Sequence, residues 1–164
     1  MIDERIDIGI RIGPAIKDER FIARSIGKFS FAIVATPELL TQYGKPTSID
    51  DLNNKPLVAL ADVKTEKLWF WPFINKIKFT PIAPKLICDD AQTELNAVLN
   101  HVGIGRIPKC LAQPYIDSGE LISVLDELTV EGPWDVFIYR PQRGPVPHRI
   151  RVLFDFFNKA LNFH

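Results

Sequence analysis

The stretch Cys88–Pro108, CDDAQTELNAVLNHVGIGRIP, decides the fold prediction because it contains a helix, a turn and a strand in one run. Its apolar residues recur with helical spacing from 91 to 102, which predicts a helix with one face on a core. Asp89 is the predicted N-cap, Gly103 the predicted left-handed residue after the helix, and Ile104–Ile107 the predicted strand. A helix that opens just beyond a strand end is a common docking place for a small ligand, so we expect the site here.

The composition predicts a globular protein without a general affinity for polyanions. The chain has 164 residues, of which 46% are apolar and 24% charged. Lysine and arginine together number 20, and so do aspartate and glutamate, so the net charge is zero. A chain of this length can bury a core, and its charge balance gives no overall attraction to nucleic acid or to a membrane.

Several chemistries are disfavoured by the residue types and their spacing. The two cysteines, Cys88 and Cys110, are too few for a disulfide scaffold, and with the histidines they show no metal-ligand spacing. There is no G-x-S-x-G motif, and no apolar run approaches the roughly 18 residues of a membrane helix. Asp89 and Asp90 could be paired catalytic carboxylates, although one cap and one solvated group is the favoured interpretation. We expect a cytoplasmic protein that has no metal or cofactor and is not an enzyme.

Alternating strands and helices along the chain predict an α/β fold with a largely parallel sheet. The apolar runs Phe29–Ala35 and Leu57–Ala61 are predicted buried strands. A helix is predicted from the cap Thr36, through Pro37, to Tyr43. The remaining elements are predicted in the same way, from apolar patterns and cap or turn residues. Ala15–Gly27 is predicted to be a connecting segment. The predicted strands and helices are Arg5–Gly13, Lys85–Cys88, Leu111–Ser118, Leu121–Leu125, Trp134–Tyr139 and Ile150–Leu161. The aromatic run Trp69–Phe73 is predicted to be core rather than a pocket wall.

Ten short motifs in the right order resemble the effector-binding domain of LysR-type transcriptional regulators. Asp7–Gly13, DIGIRIG, resembles the family's D-[IL]-[AG]-I-R-x-G strand, and Val102–Pro108 its G-x-G-I-x-x-L-P turn. The other eight matches extend the resemblance over almost the whole chain. They lie at Asp18–Gly27, Phe31–Leu40, Tyr43–Pro46, Asp50–Leu52, Trp69, Asp89–Asp90, Gly119–Leu125 and Ile138–Pro141.

The resemblance implies an α/β protein with the periplasmic-binding-protein-like type 2 fold, which has two subdomains. It implies that subdomain II is complete over residues 29–140. Subdomain I would be only partly present, as a remnant at 1–28 and a C-terminal helix at 141–164. In the family a winged helix-turn-helix domain, a linker helix and the first part of subdomain I precede the DIGIRIG strand. We therefore expect no specific DNA binding by this chain alone.

The resemblance also implies a small-molecule effector, of unknown identity, bound between the two subdomains to control transcription. By resemblance, ten residues line that cleft: Arg11, Gly13, Thr36, Pro37, Ala61, Asp62, Asp90, Ala91, Ile107 and Pro108. The alternatives are a lobe of a periplasmic-type solute-binding protein and an α/β enzyme. The A-T-P-E-L-L segment and the absence of a secretion signal argue against the first, and the missing nucleophile and metal motifs against the second.

Self-association is expected from two amphipathic elements. The strand Arg5–Ile12 and the helix Ile150–Leu161 each carry an apolar surface that the rest of subdomain I would cover in the family. Burying several hundred Å² of it would yield on the order of 10 kcal/mol before the cost of association. We expect a homodimer. The alternative is that residues 1–28 and the last helix fold back on subdomain II or remain disordered, which leaves a monomer.

Overall fold

The structure is a computed structural model that describes residues 6–13, 15–63, 65–130, 134–142 and 146–160. The chain divides into two compact units: unit 1 comprises residues 1–29 and 131–164, and unit 2 comprises residues 30–130. The elements in chain order are β1 Gly9–Gly13, β2 Phe21–Lys28, β3 Phe31–Ala35, α1 Pro37–Tyr43, β4 Val58–Leu60, β5 Trp71–Pro72, β6 Lys78–Phe79, β7 Leu86–Cys88, α2 Ala91–Leu99, β8 Gly105–Pro108, α3 Lys109–Ser118, β9 Ile122–Ser123, β10 Asp135–Pro141 and α4 His148–Ala160.

Unit 1 is an antiparallel sheet in the order β1-β10-β2 with α4 packed on it. Gly9 pairs with Tyr139 and Pro141 with Phe21, so the strand β10 continues past its predicted end at Tyr139. Phe154 of α4 is buried in a small apolar cluster with residues of β2 and β10. Because β10 pairs with β1 and β2, it belongs to unit 1, whereas the sequence had placed residues up to 140 in subdomain II.

The prediction that Ala15–Gly27 only connects other elements is wrong for its second half, which is part of β2. The strand was missed because its polar residues obscure the apolar pattern: Arg24 and Ser25 interrupt it. Arg24 is held by tertiary contacts instead, an ion pair to Asp155 at 3.2 Å and a stacking contact with Phe154. Residues 21–28 therefore form the strand β2 because they pair with β10, although their local sequence does not predict a strand.

Unit 2 contains a mixed sheet, so the prediction of a largely parallel sheet is wrong. Strands β4 and β7 are parallel, while β3 is antiparallel to both β8 and β9. A parallel bridge between Leu57 and Ile104 joins the two groups, with a hydrogen bond from the Val58 amide to the Ile104 carbonyl at 2.9 Å. The resulting order across the unit is β7-β4-β8-β3-β9.

Two apolar clusters form the core of unit 2. One lies on the face that carries Ile33, and it includes Trp71 and Phe73, both no more than 2% exposed. This confirms the prediction that the aromatic run is core at these two positions. The other cluster lies under α2 and α3 and includes Val34 and Leu95. Alternate residues of β3 thus face opposite layers, as expected for a strand that is covered on both sides.

The helix α1 begins and ends as the sequence predicts. Thr36 is its N-cap and accepts a hydrogen bond from the Leu39 amide at 3.3 Å, with Pro37 in the first position. Gly44 ends it with a φ of 79°. That conformation is unfavourable for other L-residues, which explains why a glycine stops this helix.

The two ends of α2 differ from their predictions by one or two residues. Asp90, not Asp89, is the N-cap, and its carboxylate accepts a hydrogen bond from the Thr93 amide at 2.8 Å. At the other end His101, with a φ of 61°, takes the left-handed conformation that had been assigned to Gly103. Gly103 is required for a different reason: a Cβ there would lie 2.8 Å from the Pro56 carbonyl oxygen.

Among the described residues, no helix has both the length and the apolarity needed to cross a membrane.

Candidate ligand-binding edge

The C-terminal ends of three strands in unit 2 lie along one edge of the sheet. The strands β4 and β7 are parallel, and the Leu57–Ile104 bridge sets β8 parallel to β4. Ligands in α/β proteins bind where the carboxyl ends of strands converge, because backbone groups there have no partner in the sheet. We call the predicted residues at these ends the ligand edge. They are Ala61, Asp62, Asp90, Ala91, Ile107 and Pro108.

Asp90 and Ala91 enter the ligand edge through the start of α2. The Asp90 carboxylate is exposed but is already engaged, since it accepts the Thr93 amide. Hydrogen bonding from the Thr93 side chain and from its amide lowers the pKa of Asp90 below its usual value. The positive end of α2 is therefore partly satisfied by its own cap, so a ligand at this point meets a carboxylate in front of the helix rather than a bare anion site.

Ala61 and Asp62 follow β4 and form a tight turn. The Ala61 amide donates to the Cys88 carbonyl at 2.8 Å, which extends the parallel pairing one residue beyond the strand. The Asp62 carboxylate accepts hydrogen bonds from the amide and the hydroxyl of Thr65, at 2.8 and 3.0 Å. This Asx turn fixes the direction in which the chain leaves the edge.

Ile107 and Pro108 end β8 beside the start of β3. Pro108 pairs with Phe31, and Ile107, 0% exposed, lies in the cluster under α2. The Ile107 side chain is consequently part of the core. Pro108 is also buried, so these two residues shape the edge more than they present side chains at it.

Thr36 and Pro37 lie at the other end of the unit, so the structure does not bring them to the ligand edge. Thr36 follows the last residue of β3, while Pro108 pairs with the first. The Thr36 hydroxyl lies 2.7 Å from Nδ1 of His101, just beyond the C-terminal end of α2. Asp90 is at the N-terminal end, and nine helical residues at 1.5 Å each separate them by roughly 13 Å. Thr36 and Asp90 therefore lie at opposite ends of α2, and the predicted contact of Thr36 and Pro37 with an effector stays a prediction.

A separate cavity of about 380 Å³ lies at that distant end. Its lining includes Thr36, Pro37, Glu38, His101 and Glu120. The Glu38 carboxylate is 3.9 Å from Nδ1 of His101, and both side chains are largely exposed. The cavity is thus open to solvent and polar, and it does not include any residue of the ligand edge.

Arg11 and Gly13 belong to unit 1, where they lie in β1. Arg11 pairs with Phe137 and Gly13 with Asp135 across the ladder to β10. The Arg11 side chain is exposed and Gly13 is buried. Their predicted contact with an effector stays a prediction.

The sequence-based site omitted a buried carboxyl group next to the ligand edge. Glu94, in the first turn of α2, is 1% exposed, and its Oε1 accepts a hydrogen bond from the Arg106 amide at 3.2 Å. Its Oε2 is buried and has no hydrogen-bond partner among the described residues. The signal was present in the sequence, because Glu94 stands three residues after Ala91 and four before Val98, on the apolar face of the helix.

Burial governs the charge properties of this group and its neighbours. Desolvation raises the pKa of Glu94 to about 7, although the Arg106 amide and guanidinium act against the rise. Burial lowers the pKa of Arg106 to about 10, which still leaves it charged at neutral pH. Its guanidinium lies 3.6 Å from the centre of the Phe31 ring, where a cation is stabilised by the aromatic face. Burial also raises the pKa of the Cys88 thiol to about 11, so that thiol is neutral.

Within the part of the chain that the structure describes, no group of three or more metal-ligating side chains is assembled. The arrangement offers the ends of three strands, the start of a helix, one carboxylate engaged in a turn, one engaged in a helix cap, and a stacked arginine. Such a set can bind a small polar molecule.

Comparison with known proteins identifies the family. The family model described as LysR substrate binding domain matches residues 1–162. The chain belongs to this family. Its fold is accordingly the periplasmic-binding-protein-like type 2 fold, as the sequence resemblance implied.

One similar relative is YcaN of Escherichia coli strain K12, named as an uncharacterized HTH-type transcriptional regulator. It is 31% identical over 157 residues, which are 95% of this chain and 51% of YcaN. The chain spans about half the length of the curated relatives it matches.

Two solved structures share the fold. The regulatory domain of CrgA, a LysR-type transcriptional regulator from Neisseria meningitidis, has a TM-score of 0.80 and 25% identity, covering 96% of this chain and 76% of that one. The regulatory domain of AphB in Vibrio vulnificus has a TM-score of 0.79 and 24% identity, covering 98% and 78%.

Proposed function

We propose that this chain is the effector-binding domain of a cytoplasmic LysR-type transcriptional regulator and binds a small molecule at the ligand edge. The observation that supports this most is the meeting of the C-terminal ends of β4, β7 and β8 with the start of α2 in a member of the LysR substrate-binding family. Strand ends of this kind leave backbone groups free for a ligand. The family match favours a regulator over a solute-binding protein.

Control of transcription would then require DNA contacts made outside this sequence. The matched relatives are named HTH-type regulators and are about twice as long as the matched region. The chain itself has zero net charge, so it has no excess of cations to release counterions from DNA. We expect the isolated chain not to shift promoter DNA, and a steeply salt-dependent shift would contradict this.

The ligand proposal can be tested with a pair of variants at opposite ends of α2. A thermal-shift screen of small metabolites would first supply a binding compound. Ala91→Arg places a long side chain at the ligand edge, and Glu38→Arg places the same side chain in the distant cavity. Calorimetric titration should show at least tenfold weaker binding for Ala91→Arg and unchanged binding for Glu38→Arg. The reverse result would assign the ligand to the cavity.

The homodimer remains part of the proposal and rests on exposed apolar side chains of unit 1. Ile10 of β1 is 54% exposed and Phe156 of α4 is 60% exposed. Light scattering should give a dimer mass for the chain and a monomer mass for Phe156→Glu. Ile82→Glu, at an exposed isoleucine in unit 2, is the matched control and should leave the mass unchanged. A mass that stays monomeric as concentration rises would defeat the dimer.

A further inference from the structure

The buried Glu94 carboxyl joins two elements that carry the ligand edge. Its own helix, α2, begins with Ala91 and is capped by Asp90, while β8, to which it is hydrogen-bonded, ends with Ile107 and Pro108. Gly105 allows this approach, because a Cβ at that position would lie 3.4 Å from Oε1 of Glu94 and 2.6 Å from a Val98 methyl. The contact therefore holds the first turn of the helix against the strand.

Of the two carboxyl oxygens of Glu94, one accepts a hydrogen bond and the other does not. Oε1 accepts the Arg106 amide, whereas the buried Oε2 has no partner in the part of the chain that the structure describes. A protonated carboxyl group carries no net charge and fits such a place at modest cost. An ionised one leaves a desolvated negative oxygen, which is far less favourable in an apolar surrounding.

Arg106 supplies a counter-charge to Glu94, but its effect is smaller than the desolvation that raises the pKa of this carboxyl. On its own helix the nearest acid is the exposed cap Asp90, and from β7 it faces the neutral Cys88 thiol. Strand alternation directs Gly105 toward α2 and hence Arg106 toward the other face, where its guanidinium stacks on Phe31. Apolar side chains of β3, β4 and α3 belong to the cluster under α2, and the half-buried Tyr115 of α3 packs against this cluster.

We propose that Glu94 is a proton-controlled latch, which holds the first turn of α2 on β8 when protonated and loosens it when ionised. The proton is exchanged with solvent, and water reaches Oε2 once the turn opens. Since Asp90 and Ala91 move with that turn, the shape of the ligand edge would depend on pH near neutrality. The significance for effector binding rests on the proposed function, but the latch itself is a property of the free chain.

The first test is the titration of Glu94 in the free protein. Carbon-13 NMR of the Glu94 carboxyl should show a midpoint between pH 6 and 8. A midpoint below pH 5.5 would overturn the latch. Because no effector is present, a failure of effector binding would leave this result unaffected.

The second test is amide hydrogen exchange at Arg106, whose amide donates to Glu94. After correction for the intrinsic rate, its protection should fall at least tenfold from pH 6 to pH 8. Glu94→Gln should abolish the change, and Glu127→Gln, the same substitution at an exposed carboxyl, should retain it. Protection that is independent of pH in the unaltered chain, or an equal fall in Glu94→Gln, would refute the proposal.

Discussion

The two ends of α2 differ in how their polar side chains are hydrogen-bonded. At the N-terminal end, Glu94 lies next to the ligand edge and has a buried oxygen that has no partner among the described residues. At the C-terminal end, His101 has an unfavourable φ of 61°, but its Nδ1 lies 2.7 Å from the Thr36 hydroxyl. One end keeps its local geometry and leaves a polar group unsatisfied; the other accepts backbone strain and satisfies it. From this comparison we infer that the N-terminal end of α2 is the one whose structure responds to pH.

The largest expected effect concerns the pH dependence of stability at Glu94. Its pKa in the folded chain, about 7, exceeds the ordinary value of 4.5, so the folded state binds the proton more tightly. The stability contributed by the proton is full below the ordinary value and is lost as pH rises through about 7. The free energy of unfolding should therefore fall by on the order of 3 kcal/mol more in the unaltered chain than in Glu94→Gln between pH 5 and 8.

Urea unfolding of both proteins at pH 5, 6, 7 and 8 would measure this difference. Other titrating groups are common to the two chains and cancel. If the free energies of unfolding of the two proteins changed with pH in parallel, the Glu94 carboxyl would ionise at little cost. The contrast between the two ends of α2 would then not hold.

A smaller effect is expected at the other end from Thr36→Val. The substitution keeps the shape of this 3% exposed side chain but removes the cap of α1 and the bond to His101. Loss of both hydrogen bonds should destabilise the chain by about 2 kcal/mol in urea unfolding. Thr41→Val, at an exposed hydroxyl that donates only to the Pro37 carbonyl, should cost less than about 0.5 kcal/mol. Equal losses of stability in the two variants would mean that the hydrogen bonds of Thr36 do not stabilise the C-terminal end of α2.

The smallest expected change is at His101→Gly. Glycine relieves the left-handed conformation by about 1 kcal/mol, and loss of the bond to Thr36 costs about as much. The free energy of unfolding should thus change by less than about 0.5 kcal/mol. Glu66→Gly, at an exposed residue with a φ of 56°, relieves the same conformation without that loss and should stabilise by about 1 kcal/mol. Equal gains in both variants would show that the His101 bond contributes nothing.

The sequence predicts the elements with strong local signals and fails where tertiary contacts decide. Thr36, Pro37 and Gly44 define α1 because cap, proline and glycine act within a few residues. The strand β2 is missed because its pairing partner lies more than a hundred residues away. Strand directions have the same origin: nothing local in Phe31–Ala35 reveals that it runs antiparallel to β8.

The candidate site shows the same division. The resemblance included Asp90 and Pro108, which lie at one edge because Asp90 follows β7, Pro108 ends β8, and these strands point the same way. It also included Thr36, which follows a strand of opposite direction and so lies at the far end. Glu94 was overlooked since its helical face was judged by its apolar residues, and only the fold shows that the carboxyl is enclosed.

We propose that a small molecule binds at the N-terminal end of α2. The most direct measurement is amide chemical-shift mapping of the isotope-labelled chain with a compound from the screen. The amides of Ala61, Ala91 and Lys109 should shift in proportion to occupancy, while those of His101 and Gly119 remain unchanged. Shifts confined to His101 and Gly119, with none at Ala61 and Ala91, would contradict the account.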